Sequence, residues 1–242
     1  MNSSIRLGML TPSSNTVLEP VCSAMVAGIP RVSCHFARFR VTEISLGSAA
    51  LQQFDNEPML VAADLLADAK VDAVCWNGTS AGWLGFDRDR ALCKDILHRT
   101  GIPASSSVLA IDDIFRITDV RRFGLVSPYM PNVQQRIIET FATAGFECTA
   151  ERHLNISENF SFANVTAEML SEMVREVAQS GPDGITIFCT NLRGAPLVEE
   201  LEEEIGIPIY DTTSAAVWAG LRIAKADPTL IRGWGRLFRE VS

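Results

Sequence analysis

The stretch Asp183–Gly194, with the sequence D-G-I-T-I-F-C-T-N-L-R-G, decides how the chain is interpreted. Its apolar residues from Gly184 to Phe188 predict a buried strand, and the residues after them predict a turn into a helix that begins near Ala195. Cys189 therefore lies at the carboxyl end of a predicted strand, close to a helix amino terminus. Open α/β sheets hold ligands at this edge, and the helix dipole favours a thiolate or a bound anion there. A buried structural cysteine is the alternative, because free cysteine is among the most buried residue types.

A second stretch of the chain repeats this pattern. Asp72–Ser80 aligns without gaps on Asp183–Asn191 and places Gly78 opposite Cys189. Self-similarity over this distance predicts two halves that fold in the same way. The two strand-end loops would then face each other, so Cys189 becomes one member of a pair of loops rather than an isolated cysteine.

The rest of the chain supports a two-lobed α/β fold. Predicted strands alternate with predicted helices, among them a long amphipathic helix at Ser48–Ala69, and this alternation predicts parallel sheets covered by helices. The tripeptide Gly-Ile-Pro at residues 101–103 recurs at residues 206–208. We predict two similar Rossmann-like βα lobes, each with a parallel four-stranded sheet, related by a pseudo-twofold axis with the active site in the cleft between them. The lobes would be residues 1–116 and 117–242, with C-terminal helices that cross over between them.

The composition restricts the class of protein. The 242 residues include 47% hydrophobic and 21% charged residues, as in an ordinary globular protein. The net charge of −8 and the absence of a dense basic run argue against a nucleic-acid partner. The sequence contains neither an apolar span of 18 residues nor a signal-peptide pattern, so we expect no membrane association and a cytoplasmic location.

Cofactor and metal motifs are missing from the sequence. The six cysteines include no C-x-x-C pair, and the three histidines are not at ligand spacing, so neither a disulfide framework nor a zinc site is expected. The sequence has no G-x-G-x-x-G and no Walker lysine motif, which leaves a nucleotide cofactor without support. An enzyme with this sequence is expected to work without a cofactor.

Four loops are expected to meet at the cleft: Ser13–Thr16, Gly78–Ser80, Pro128–Tyr129 and Cys189–Asn191. They offer hydroxyls, amides and backbone N–H groups, and almost no basic side chains. This inventory suits a small carboxylate better than a phosphate. It suits still better a carboxylate whose charge spreads into an enediolate, because preformed donors act most strongly on developing charge. Cys189 would then be the proton donor, the proton acceptor or the nucleophile.

Each polar residue also has a purely structural interpretation. Thr79 and Ser80 could cap the next helix, and Asn15 could be an N-cap as well. Tyr129 could be a loop aromatic without a role in binding. Arg193 could clamp a carboxylate, but a surface position at a helix start is the stronger interpretation.

Several short motifs resemble those of one family along nearly the whole chain. They are Thr11–Thr16, Gly78–Ser80, Ser127–Tyr129, Ser157–Asn159, Cys189–Leu192 and Gly233–Phe238. With these motifs the chain resembles the maleate cis–trans isomerase and arylmalonate decarboxylase branch of the Asp/Glu racemase superfamily. Racemases and isomerases of that superfamily carry two cysteines, one in each lobe. Here Gly78 stands in place of the first, and Cys75 lies three residues upstream inside the predicted strand.

The resemblance implies a cofactor-free enzyme with one cysteine. Glycine in the first lobe and cysteine in the second is the decarboxylase pattern, in which the cysteine protonates an enediolate formed from a substituted malonate. By this resemblance Cys189 is the catalytic residue, and the substrate carboxylate is held by hydroxyls and by the amides at Ser80 and Thr190. The expected substrate-binding residues are Asn15, Gly78, Thr79, Ser80, Tyr129, Asn159 and Thr190.

Two of these residues favour a different member of the branch. Asn15 and Asn159 resemble the amides with which the isomerase holds its substrate carboxylates, and they would weaken the apolar pocket that a decarboxylase needs. The first alternative is therefore an isomerase or racemase acting on a small dicarboxylate. The second is a non-catalytic protein that binds small carboxylates. A homo-oligomer is compatible with either.

Overall fold

The computed structural model describes residues 4–48 and 52–241, and its strands form two four-stranded parallel sheets. The strands of the first sheet are β1 (Ile5–Pro12), β2 (Val32–Phe39), β3 (Ala73–Trp76) and β4 (Ala104–Ser106). Those of the second are β5 (Arg122–Ser127), β6 (Glu147–His153), β7 (Gly184–Ile187) and β8 (Ile209–Asp211). The strand orders, β2-β1-β3-β4 and β6-β5-β7-β8, are the same in both halves. The predicted pair of similar parallel sheets is confirmed.

Helices alternate with these strands. They are α1 (Leu18–Val26), α2 (Asn56–Asp68), α3 (Ala81–Leu84), α4 (Phe86–Thr100), α5 (Ser107–Ile117), α6 (Pro131–Thr143), α7 (Ala167–Ala178), α8 (Val198–Ile205), α9 (Thr212–Ile223) and α10 (Arg236–Glu240). Short 3₁₀ turns lie at Phe160–Asn164, Ala195–Leu197 and Pro228–Leu230. The helix predicted from Ala195 therefore begins with a 3₁₀ turn and becomes α-helical at Val198. No helix within the described ranges is long and apolar enough to cross a membrane.

The repeated Gly-Ile-Pro sequences end equivalent helices. Gly101 follows α4 and Gly206 follows α8, and both adopt φ of 73° in the left-handed region. Glycine enters this region without the steric cost that a Cβ would bring, and the proline two residues later prevents the helix from continuing. The next helix in each half has its own N-cap: Ser106 Oγ accepts from an N–H of α5, and Asp211 Oδ1 accepts from two N–H groups of α9. The repeated tripeptide therefore marks two helices that end in the same way.

The long helix predicted over Ser48–Ala69 is interrupted: Ser48 and Gln52 are helical, but the residues numbered 53–55 are not. The helix α2 begins only at Asn56, with Asp55 extended at φ −62° and ψ 144°. Pro58 fits the first turn of a helix, where no intrahelical N–H donor is required, and this favours a start just before it. Residues 49–51 of the predicted helix lie outside the described residues. Phe54, which the apolar pattern had placed on the buried face of that helix, lies in the loop before α2 and is buried.

The two halves share a core. The α9 helix of the second half packs against α5 and against β3 and β4 of the first sheet. In the other direction, Phe115 of α5 contacts the rings of Phe123 in β5 and Tyr210 in β8, with centroids 5.5 and 5.9 Å apart. Burying a side chain of this size stabilises the fold by about 1.5–3 kcal/mol. The exact division at residues 116 and 117 stays a prediction.

Candidate active site

The strand-end loops of the two sheets are in direct contact. The Thr190 hydroxyl, just after β7, donates to the carbonyl of Asn77, just after β3, at 2.9 Å. The same hydroxyl accepts from Asn15 Nδ2 at 3.2 Å, which brings in the loop after β1. Parallel strands end at the same edge of their sheet, so these loops meet where the two edges face each other.

Asn191 ties three segments together at this edge. Its Nδ2 donates to the carbonyl of Asn159 at 2.6 Å. Its Oδ1 accepts from the backbone N–H groups of Thr16 and Val17 at 3.0 and 3.3 Å. Because Asn191 is 1% exposed, loss of its amide would leave several buried polar groups without partners. The side chain therefore fixes the position of the cysteine loop relative to the first half.

Tyr129 and Thr79 join the two halves on the other side of the cleft. Their hydroxyl oxygens lie 2.5 Å apart, a short hydrogen bond between buried groups. The Tyr129 ring also packs edge-on against Trp83 and Phe162, with centroids 5.4 and 5.5 Å away. Burial raises the pKa of Tyr129 well above its ordinary value of 10.0, so this phenol keeps its proton. It can therefore donate one hydrogen bond to a thiol sulfur, to Thr79 or to a bound oxygen.

Cys189 is buried at the end of β7, with 2% of its surface exposed. Its Sγ accepts the backbone N–H of Asn191 at 3.4 Å. Burial raises the pKa of the Cys189 thiol to about 12, although hydrogen bonds from Tyr129 and from the Asn191 N–H act in the opposite direction, and Asp211 raises it further. Cys189 is therefore a protonated thiol at neutral pH and is suited to donating a proton rather than to acting as a resting thiolate.

The position opposite Cys189 is filled by an indole ring. Gly78 lies under Trp76, and a Cβ built on Gly78 would be 2.0, 2.4 and 2.5 Å from three atoms of that ring. The Trp76 ring is 1% exposed and is also held by Phe39, whose centroid is 5.0 Å away. A side chain at position 78 has no space unless the indole moves. Cys75 lies within β3, is completely buried, and does not line the cavity next to Cys189.

A small cavity lies between these groups. Its volume is about 20 Å³, which is room for about one water molecule. Its polar lining consists of Thr79, Tyr129, Asn159, Cys189 and Thr190. Gly78 and six apolar or aromatic residues complete it: Pro12, Val41, Ile44, Phe54, Trp76 and Trp83. The site in this structure is therefore closed, and a substrate of several heavy atoms requires the walls to separate.

The cavity lining is electrically neutral. None of the lining residues within the described part of the chain is Asp, Glu, Lys or Arg. Nor do residues 4–48 and 52–241 contain a group of three or more His, Cys, Asp or Glu side chains that could hold a metal ion. A ligand in this cavity would be bound by neutral hydroxyl, amide, thiol and backbone donors.

A much larger groove of about 730 Å³ lies on the far side of Trp83. It is open to solvent, and its arginines already form ion pairs: Arg90 and Arg116 with Asp112, and Arg136 with Glu139. Among the described residues that line it there is no cysteine and none of the strand-end hydroxyl residues. We therefore assign the candidate active site to the small cavity at Cys189.

Six of the predicted site residues line this cavity and two do not. Gly78, Thr79, Tyr129, Asn159, Cys189 and Thr190 line it. Asn15 is buried beside it, with Oδ1 accepting the N–H groups of Val17 and Leu18 at the start of α1, although the N-cap residue of that helix is Val17. Ser80 is the N-cap residue of α3, without a capping bond from its side chain. The catalytic and binding roles of all eight residues stay predictions.

The apolar side of the cavity was not predicted from the sequence. Val41, Ile44 and Phe54 come from the segment between β2 and α2, and Trp76 and Trp83 flank the Gly-Thr-Ser triplet. One signal was present in the sequence: the repeat places Trp76 opposite Ile187, an unusually large residue at the end of a buried strand. The segment between β2 and α2 offered only isolated apolar residues, which do not indicate what they contact.

Comparison with known proteins agrees with this architecture. The sequence model described as arylmalonate decarboxylase matches residues 15–238. The chain belongs to the arylmalonate decarboxylase family.

The named relatives of this chain include both isomerases and decarboxylases. The maleate isomerase of Nocardia farcinica is 27% identical over 98% of this chain and 96% of its own length. The arylmalonate decarboxylase of Bordetella bronchiseptica is 26% identical over 95% of this chain and 98% of its own length. Among solved structures, a cysteine-to-serine variant of the Nocardia farcinica maleate cis–trans isomerase with a covalently bound succinylcysteine intermediate has a TM-score of 0.90, 25% identity, and coverage of 99% and 100%. The family is established, whereas these names leave the specific reaction open.

Proposed function

We propose that this protein is a cofactor-independent decarboxylase of a substituted malonate-type acid, with Cys189 as the proton donor. The observation that supports this most is the packing of Trp76 over Gly78, which leaves no space for a second cysteine side chain facing Cys189. A site with one thiol can deliver a proton to one face of a planar intermediate. It lacks the second thiol that a two-cysteine racemase or isomerase uses.

The proposed reaction proceeds through an enediolate. The bond between the α-carbon and one carboxylate breaks, and that group leaves as carbon dioxide. The electron pair stays on the α-carbon and delocalises onto the remaining carboxylate. The S–H proton of Cys189 is then transferred to the α-carbon, and water returns a proton to the thiolate. A thiol whose pKa is raised to about 12 by burial is the protonated form that this step requires.

Unpaired donors are available for the carboxylate that remains. Within residues 4–48 and 52–241, the backbone N–H groups of Thr79, Ser80 and Thr190 have no protein acceptor. Thr79 and Tyr129 also line the cavity, and their hydroxyls form a hydrogen bond with each other. Such preformed donors stabilise an enediolate more than the starting carboxylate, because its negative charge grows on the oxygens during the reaction.

The apolar wall suits the carboxylate that leaves. Val41, Ile44 and Phe54 line the cavity without offering a donor. A carboxylate placed against them loses the hydration that stabilises it in water, and it regains free energy as it becomes neutral carbon dioxide. The Asn159 amide, which we expected to weaken this effect, donates to Ser14 Oγ at 2.7 Å and is at least partly occupied.

The relatives support a second candidate, a cis–trans isomerase of a small dicarboxylate such as maleate. The solved structures similar to this chain include a maleate isomerase with a covalently bound succinylcysteine. In this chain Cys189 is the only cysteine among the described residues that lines the cavity, so it would have to add to the double bond and later leave again. Both candidates bind a small carboxylate or dicarboxylate. The cytoplasmic location and homo-oligomeric state remain predictions.

A substrate panel in deuterated water followed by NMR distinguishes the candidates. Decarboxylation of an alkyl- or arylmalonate places one solvent deuterium on the product and releases one equivalent of carbon dioxide. Isomerisation converts maleate into fumarate with both carboxylates retained. We expect Cys189→Ser to abolish turnover and Cys75→Ser to preserve it. Conversion of maleate without decarboxylation of any malonate would overturn the proposal in favour of the isomerase.

A further inference from the structure

Two indole N–H groups at the cavity have no hydrogen-bond partner among residues 4–48 and 52–241. Trp76 Nε1 and Trp83 Nε1 are both buried and unpaired, and both side chains line the cavity next to Cys189. A third tryptophan shows the ordinary arrangement: Trp218 Nε1 donates to the carbonyl of Val241 at 2.8 Å. Within the described part of the chain, the unpaired indoles therefore coincide with the candidate active site.

A buried donor without an acceptor is costly. Leaving such a group unpaired costs about 1–3 kcal/mol, and native proteins rarely do so without a compensating role. The cavity has room for about one water molecule, which could accept from an indole while the site is empty. A substrate that fills this space must itself supply the acceptor for the indoles.

We infer that Trp76 and Trp83 are substrate-binding residues whose Nε1–H groups hydrogen-bond an oxygen on the substituent of the reacting carbon. The substrate class is then a malonate-type acid with an ether, hydroxyl or carbonyl oxygen in that substituent, rather than a plain hydrocarbon group. This inference rests on the proposed function, because the proposed function assigns the two carboxylates of the substrate to other parts of the site.

That assignment leaves the substituent as the partner of the indoles. The retained carboxylate has the N–H groups of Thr79, Ser80 and Thr190 and the hydroxyl of Tyr129. The leaving carboxylate reacts faster where nothing stabilises its charge, so two additional donors on it would slow the reaction. An indole N–H can only donate, so the group that contacts it on the substituent must be an acceptor such as an oxygen.

The packing of both rings favours a fixed pair of donors. The Trp83 ring lies edge-on to Tyr129 and to Phe54, with centroids 5.4 and 5.9 Å away. The Trp76 ring is held between Gly78 and Phe39. Donors held in place by packing lose little entropy on binding, and a site that offers them discriminates against an analogue that lacks the acceptor.

The first experiment observes the indole N–H groups directly. Tryptophan Nε1–H signals are recorded by ¹⁵N NMR in Cys189→Ser, which prevents turnover, and are assigned with single Trp→Phe variants. The probes are ethylmalonate and methoxymalonate, which differ by replacement of one CH₂ with oxygen. We expect saturating methoxymalonate to shift the signals of Trp76 and Trp83 clearly more than ethylmalonate does. The signals of Trp218 and Trp234 serve as controls and should not move.

The second experiment measures kcat/KM for both compounds in the wild type, Trp76→Phe and Trp83→Phe. Phenylalanine keeps an aromatic ring and removes the donor. We expect each substitution to reduce the preference for methoxymalonate over ethylmalonate about tenfold, in keeping with one lost hydrogen bond. The intrinsic difference in reactivity between the two acids cancels when the ratio in each variant is divided by the ratio in the wild type. Trp234→Phe, which lies outside the cavity, should leave the ratio unchanged.

The outcomes separate this inference from the proposed function. Indole shifts specific to methoxymalonate without release of carbon dioxide would retain the indole contacts and reject the decarboxylase. Decarboxylation of both acids with unchanged indole signals and an unchanged preference in both Trp→Phe variants would reject the indole contacts alone. Failure of methoxymalonate to bind, or identical shifts with both acids, overturns the inference.

Discussion

Gly78→Ala tests whether Trp76 excludes a side chain from the position opposite Cys189. The added Cβ would lie 2.0 Å from the nearest ring atom, whereas ordinary contacts begin near 3.4 Å, so the ring would have to move by more than about 1 Å. Trp76 belongs to β3 and packs against Phe39, which leaves little freedom to move. Overpacking of this kind costs about 1–3 kcal/mol, and three simultaneous clashes place the expected cost near the upper end, at about 3 kcal/mol. For a chain of this length that corresponds to a loss of about 6–12 °C in Tm.

Urea and thermal unfolding of matched variants measure this cost. Gly28→Ala is the control, because a Cβ there meets nothing within 4 Å, and its stability should stay within about 0.5 kcal/mol of the wild type. Trp76→Leu removes the clashing ring, so Gly78→Ala in that background should cost at least about 2 kcal/mol less than in the wild type. If Gly78→Ala is as stable as Gly28→Ala, or its cost is the same in both backgrounds, the packing of Trp76 over Gly78 is not what excludes a side chain.

Four further predictions follow from the site and its buried acids. Cys189→Ser should reduce turnover at least about 1,000-fold with little change in Tm, and Cys75→Ser should retain turnover, as steady-state assays will show. Tyr129→Phe should lower kcat about 100-fold, the usual loss for one oxyanion donor, with a smaller effect on KM. Burial raises the pKa of Cys189 from 9.0 to about 12, so between these values the folded state keeps a proton that the unfolded chain loses. The free energy of unfolding measured in urea titrations should therefore fall between pH 9 and 12. It should fall less steeply in Cys189→Ala. Burial raises the pKa of Asp89 from 3.8 to about 7, so the wild type loses stability as the pH rises through that range. The free energy of unfolding of Asp89→Asn should therefore rise relative to the wild type by up to about 4 kcal/mol at pH 8. Equal differences between the two proteins at pH 4 and pH 8 would contradict this.

The internal repeat made the fold predictable. Period-2 and period-3.6 patterns gave the alternation of strands and helices, and the aligned stretches Asp72–Ser80 and Asp183–Asn191 gave the pairing of halves. The two Gly-Ile-Pro sequences marked helix ends because glycine tolerates the left-handed conformation found at Gly101 and Gly206. The segment before α2 was not predictable in this way, since apolar residues such as Phe54 suit a buried loop as well as a helix face.

The polar half of the candidate site was visible in the sequence and the apolar half was not. Hydroxyl and amide residues directly after predicted strands can be recognised in the sequence, and the sheet topology brings them to one edge. Val41 and Ile44 reach the cavity through the path of a loop, which no local pattern encodes. The same limit applies to Asn15, whose amide oxygen could equally serve a ligand or the N–H groups of α1, where the structure places it.

The position of α9 has a consequence for synthesis of the chain. This helix, Thr212–Ile223, packs on β3 and β4, so the first sheet acquires part of its covering only after residues of the second half have left the ribosome. Cys75 of β3 lies beside Gly220 of α9, and an added Cβ on that glycine would be 3.0 Å from its sulfur. Residues 1–116 released alone would expose the apolar surface that α9 covers, and they are expected to aggregate or to associate with chaperones. Chains truncated before residue 212 should therefore be degraded rather than accumulate as half-proteins.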